Sequence, residues 1–113
     1  MKTYRGKKSA GAVGGQIILV EENEKLYPLK HIVRHSSDFN WGYGGSGPAD
    51  TALSILTDCL GSEQANLLYQ PFKWAFVATW GNEWRISEEE IKDWVTMQQK
   101  LGGESVYKWH LSI

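Results

Sequence analysis

With 113 residues the chain has room for one domain and no second, and its 42% hydrophobic and 22% charged content is that of a globular protein, not a disordered one. Twelve basic residues against 13 acidic ones leave a net charge of −1, which argues against a general nucleic-acid binder, whose affinity rests on neutralising phosphates. The single cysteine, Cys59, excludes an internal disulfide and a cysteine-based zinc site.

Residues 6–15, with Gly6, Gly11, Gly14 and Gly15, read as a flexible loop. Gln16–Val20 is an apolar, β-branched run and predicts a strand. Glu21–Lys25 predicts a charged turn. Leu26–Leu29 resumes extended structure around Pro28, as an edge strand allows, and His31–Arg34 is expected as a third short strand.

From Pro48 the period changes. Ala49, Ala52, Leu53, Leu56 and Leu60 recur at three- and four-residue steps, the stripe of a helix on a core. Gly47 is the expected cap, Pro48 the first helical residue and Gly61 the stop. Ser62 is expected to cap a second helix running to about Gln70. Phe72–Trp80 fits both a strand and a helix; Pro71 before it and Gly81 after it favour the helix.

Ser87-Glu88-Glu89-Glu90 spells a capping box, opening a helix with Ile91, Trp94, Val95 and Leu101 on one face and Gly102 at its end. The tail alternates Tyr107, Trp109, Leu111 and Ile113 against polar residues, which predicts a strand returning to the N-terminal sheet. The expected fold is one α+β domain over residues 1–113, a small antiparallel sheet packed against three to four helices. Of the six tryptophans, all but Trp41 are expected to supply core.

The segment Trp41-Gly42-Tyr43-Gly44-Gly45-Ser46-Gly47-Pro48-Ala49-Asp50 is the chief candidate site. Gly42, Gly44 and Gly47 satisfy G-x-G-x-x-G, but the βαβ unit that a dinucleotide site needs is missing around them. No lysine follows the glycines, which excludes a Walker A loop. A nucleophile elbow around Ser46 fails at Pro48. The physical feature that remains is a run of backbone N–H groups leading into a helix N-terminus, an arrangement that suits an anion. Trp41 and Tyr43 would stack on a ring, Gly42, Gly44, Gly45 and Ser46 would donate to phosphate, and Arg34 or His35 would neutralise charge. On the architectural alternative, Asp50 at the third helical position satisfies the helix end itself, and the turn is scaffold. His31 and His35, four apart in expected extended structure, have only Asp38 as an acidic partner at metal spacing, so no metal centre is expected, and Cys59 reads as a small buried residue.

The run from Phe39 to Asp50, continued by Ala52-Leu53 and Ile55-Leu56, resembles the family of unknown function DUF6166. Tyr4-Arg5-Gly6, Phe72-Lys73 and Trp84 extend that resemblance over most of the chain. The family has no established activity to carry over, but its members occur in bacteria and in phages or other mobile elements. That setting implies a counter-defence role, through an effector protein or its nucleotide messenger. The leading expectation is a non-enzymatic protein without a cofactor that holds a phosphate-bearing nucleotide at the turn. The first alternative is an inhibitor of a host defence complex with a purely structural turn, and the second is a hydrolase using Ser46 and a histidine. The aromatic excess also suits a homodimer interface. With no apolar stretch of transmembrane length and no signal-peptide core, the cytoplasm of the host cell is the expected location.

Overall fold

The computed structural model describes residues 1–10 and 15–101. Its elements are β1 (Lys2–Lys7), β2 (Ile18–Glu22), β3 (Lys25–Pro28), α1 (Ser46–Leu60), α2 (Ser62–Ala75), a 3-10 turn (Val77–Thr79), β4 (Glu83–Ser87) and α3 (Glu88–Leu101). The strands form one antiparallel sheet in the order β3-β2-β1-β4, so the chain is an α+β domain as expected.

The sheet differs in detail from the sequence reading. Gly6 and Lys7 belong to β1, not to a loop, and β4 takes the place beside β1. The tail residues 107–113, expected as a strand, lie outside the described residues. β2 runs two residues further than expected because the reversal is confined to Asn23 and Glu24, whose φ values of 52° and 69° make a tight two-residue hairpin turn. His31–Arg34 forms no strand; it is a loop held by side-chain bonds.

Alternation along the strands sends Tyr4, Gly6, Ile18, Val20, Trp84 and Ile86 to the buried face. Ala52, Leu53, Ile55 and Leu56 of α1, Ala65 and Phe72 of α2, and Ile91 and Val95 of α3 complete a single core. The capping box forms as read: Ser87 Oγ accepts from the Glu90 N–H at 3.0 Å, and Glu90 Oε1 accepts from the Ser87 N–H at 3.2 Å. α2 extends beyond Gln70, carrying Pro71 inside it, so Phe72–Ala75 is helical and the chain then tightens into the 3-10 turn. Cys59 is half-buried beside Tyr4, whose hydroxyl donates to Asp58 at 2.7 Å. Burial first, and then the Glu88 carboxylate, push its thiol up to about 11, so it stays protonated at neutral pH.

Gly6 shows how tightly the sheet meets the aromatic core. A Cβ there would lie 2.7 Å from the Trp84 indole, which is stacked on Trp80 at 3.8 Å and meets Trp41 edge-on at 5.4 Å. Trp84 therefore has no room to retreat. Gly6→Ala is expected to lose about 1–3 kcal/mol of stability, the usual effect of overpacking, read as a lower urea midpoint at unchanged slope.

Candidate functional site

The geometry of the site is set by Asp50. Its carboxylate is fully buried and collects four donors from the preceding loop: His31 Nε2 at 2.9 Å, and the backbone N–H groups of Arg34 at 3.1 Å, His35 at 2.9 Å and Ser36 at 3.1 Å. Burial alone would raise its pKa. The bonds from Arg34, His31, His35 and Ser36 outweigh burial, and the carboxyl is held below its ordinary value. One helical turn further on, Ser54 Oγ accepts from the Ile32 N–H at 2.8 Å. Two side chains of α1 thus fasten the loop.

This corrects the part expected of Asp50. α1 starts at Ser46 with Gly45 as its cap, two residues before the predicted Gly47–Pro48 start. Asp50 accordingly sits too deep in the helix to satisfy its first N–H groups, and it turns to the loop instead. The N-terminus of α1 has no side-chain cap and no acidic residue in its first turn.

The glycine-rich turn is shaped by packing. Gly42 has a φ of 90°, which a side chain resists, and its N–H donates to the Val77 carbonyl at 3.0 Å. Trp74 lies so close over Gly44 that a Cβ there would be 2.1 Å from the ring, and the Tyr43 ring covers Gly45 in the same way. Thr51 Oγ1 donates to the Asn40 carbonyl at 2.7 Å and accepts from the Asn40 N–H at 3.1 Å, which pins the start of the turn to α1.

The predicted site residues therefore separate into two groups. Trp41, expected to stack on a ligand, is 0% exposed and belongs to the core. Asp50 is inside as well. Tyr43, Gly44, Gly45 and Ser46 remain at the surface, and Arg34 and His35 lie on the flank of α2. There Arg34 Nη1 donates to Asn66 Oδ1, and the His35 ring bonds the Tyr69 hydroxyl at 3.0 Å while stacking on its ring. Neither His31 nor His35 hydrogen-bonds Ser46, and no three metal-ligating side chains converge among the described residues.

Sequence reasoning missed Trp74 and Lys73. Trp74 is 61% exposed, Tyr43 is 48% exposed, and their rings cover neighbouring glycines. Lys73 is only 7% exposed; its ammonium donates to the Gly44 carbonyl at 3.2 Å and lies 4.4 Å from the centroid of the Trp74 ring. A signal was present. Ala65 and Phe72 mark the buried face of α2, and Leu67 and Trp74 repeat the same seven-residue spacing two positions out of phase, which places them on the opposite face. Leu67 is 75% exposed.

An open concavity of about 1010 Å³ lies on the outer face of the sheet between Arg5, Leu19, Glu83 and Arg85, and no residue of the turn lines it. No helix among the described residues is long and apolar enough to cross a membrane. Fold and site together define a small α+β domain that presents an aromatic corner where the Gly-rich turn meets α2. The chain belongs to the family described as a family of unknown function (DUF6166), which matches residues 4–97. No curated protein and no solved structure matches it.

Because the Asp50 pKa is lowered on folding, its contribution is fully present above the unfolded value and is lost as pH falls through the folded one. Asp50→Asn leaves at least one donor, the His35 N–H now on Oδ1, facing an amide NH2, and the other three lose a charged acceptor. It should cost about 2–4 kcal/mol at neutral pH, as for removal of bonds to a buried charge. The gap between wild type and variant should narrow as pH falls below about 4, where the unfolded carboxyl takes up a proton that the folded one, with its lowered pKa, still refuses. Urea midpoints measured from pH 6 to pH 2.5 check both the size and the sign.

Proposed function

We propose that the chain is a non-enzymatic interaction module that engages a protein partner through the Tyr43–Trp74 corner. The observation that carries this reading is the seating of Trp74: its ring is 61% exposed, yet it rests on a residue that must lack a Cβ and has a cation at 4.4 Å. A tryptophan needed for the core would point inward, and one merely tolerated at the surface would not need a bare backbone beneath it. A ring held this way loses little freedom on binding, and Trp and Tyr are the residues that most often anchor protein interfaces. Leu67 extends the apolar surface along α2. In a phage or mobile-element setting the partner would be a component of a host defence complex, met in the host cytoplasm.

A second reading keeps the turn as a nucleotide site. It is favoured by the uncapped N-terminus of α1, whose first turn carries no acid, so that Gly44, Gly45 and Ser46 would face phosphate while a base stacks on Tyr43 or Trp74. The rings that already cover Gly44 and Gly45 take up part of the space this would need, and Leu67 has no use in it. The protein-contact reading accounts for all three.

A photo-crosslinking residue placed at Gln70, between Leu67 and Trp74 on α2, tests the proposal in a bacterial host. It should yield a discrete protein adduct that the same residue at Glu89 on α3 does not. Trp74→Ala should reduce that adduct at least tenfold while changing stability by no more than about 1 kcal/mol, as for a largely solvated ring. Equal adducts from both positions, or indifference to Trp74→Ala, would sink the reading. A saturable tryptophan-fluorescence change with a mono-, di- or cyclic nucleotide, abolished by Trp74→Leu, would instead establish the nucleotide site.

A further inference from the structure

We infer that the partner segment docking on this corner is acidic, an inference that rests on the reading of the corner as a protein contact face. Along one flank of α2, three basic side chains are set beside successive turns. Arg34 bonds Asn66 and lies 5.9 Å from the Tyr69 ring centroid, His35 bonds Tyr69, and Lys73 follows one turn later against Gly44. The three helix positions span seven residues, about 10 Å at the rise of an α-helix. None of the three basic groups takes part in an ion pair among the described residues, where the pairs are Lys2–Asp58, His31–Asp50 and Lys92–Glu88.

No carboxylate forms an ion pair with them among the described residues. Asp50 is enclosed and its oxygens are already taken by four donors. Glu63 stands in the first turn of α2 three residues before Asn66, at the Arg34 end of the strip, without pairing with Arg34, and it is ten residues, about 15 Å along the axis, from Lys73. The uncapped N-terminus of α1 adds the positive end of its dipole beside Gly44. Since the whole chain carries a net charge of −1, this basic strip does not follow from global composition.

Lys73 sharpens the inference. Its ammonium is largely withdrawn from water, with one carbonyl and one aromatic face as neighbours and no counter-charge. A carboxylate delivered there by a partner meets a donor that has already lost much of its hydration, so the contact gains more than an exposed ion pair would. The apolar crest of Leu67 and Trp74 beside the strip favours a protein segment over a nucleic acid, which would leave Leu67 unused. The segment that fits carries two or more Asp or Glu residues next to a large apolar side chain.

Panning a random 12-residue peptide library on the full chain tests this without a known partner. Selected peptides should be enriched in Asp and Glu flanking an aromatic or aliphatic residue. The best of them should bind at least tenfold more weakly when its acids become Asn and Gln, and several-fold more weakly to Arg34→Gln. Arg34 is an exposed residue, so that variant keeps the test independent of any folding defect in Lys73→Met. Affinity should also fall between 50 and 500 mM NaCl. Peptides that need Trp74 but show no acidic bias and ignore Arg34→Gln would overturn the inference and leave the contact face standing. Peptides that bind Trp74→Ala as well as wild type, or no enrichment at all, would overturn both. Displacement of the peptide by an equimolar thymidine oligonucleotide would reassign the strip to nucleic acid.

Discussion

A single enclosed carboxylate organises the loop, the turn and the helix start on one side of this domain. Asp50 is fully buried and is satisfied entirely by groups 14–19 residues upstream: three consecutive backbone N–H groups and one imidazole. A charge in that position is tolerable only because every donor arrives together, so the loop and the helix order as one unit. The consequences reach the surface. Fixing the backbone at Arg34, His35 and Ser36 delivers the Arg34 and His35 side chains to the flank of α2. The start of α1 at Ser46 sets Asp50 one turn in, where it serves the loop, and leaves the first turn without an acid. The place of the basic side chains thus follows from the Asp50 bonds, and the open helix end from where α1 begins.

The aromatic residues divide in a way that follows from the same packing. Trp41 is clamped between the turn and the core: Gly42 bends the chain past it, the Gly42 N–H bonds to Val77, and Trp84 meets its ring edge-on. Trp74 lies outside on the far side of that turn, covering Gly44. The turn is thus a thin sheet of backbone with one tryptophan beneath it and another above. Glycine is needed there because rings approach closely from the side where a Cβ would stand.

Much of the scaffold was legible in the sequence, because α1, the capping box of α3 and the apolar run of β2 are signalled by spacings that act locally. β1 and β4 were not. Each sends only two residues inward, Tyr4 with Gly6 and Trp84 with Ile86, and one of those is a glycine that looks like a loop until Trp84 is seen covering it. The continuation of α2 through Pro71 was hidden because proline reads as punctuation, although its ring is exposed and the helix has only one turn left to run. The site was harder to read for a different reason. The partners of Asp50 are backbone N–H groups, which no residue type announces. Trp41 and Trp74 cannot be told apart by composition; only the phase of α2, set by Ala65 and Phe72, shows which one faces water.

That phase also argues that α2 is built for two contacts. A helix that packs only on its own core needs one apolar stripe and gains solubility from polar residues opposite. Here Ala65 and Phe72 face the core, while Leu67 and Trp74 carry an exposed apolar stripe on the other side. Pro71 adds a backbone feature to that outer stripe. Having no N–H, it leaves the Leu67 carbonyl, four residues earlier, without its intrahelical donor. That carbonyl and the Pro71 ring share the stretch of α2 between the two large apolar side chains. Apolar anchors set beside basic side chains that form no ion pair among the described residues are the features on which the proposed acidic segment would rest.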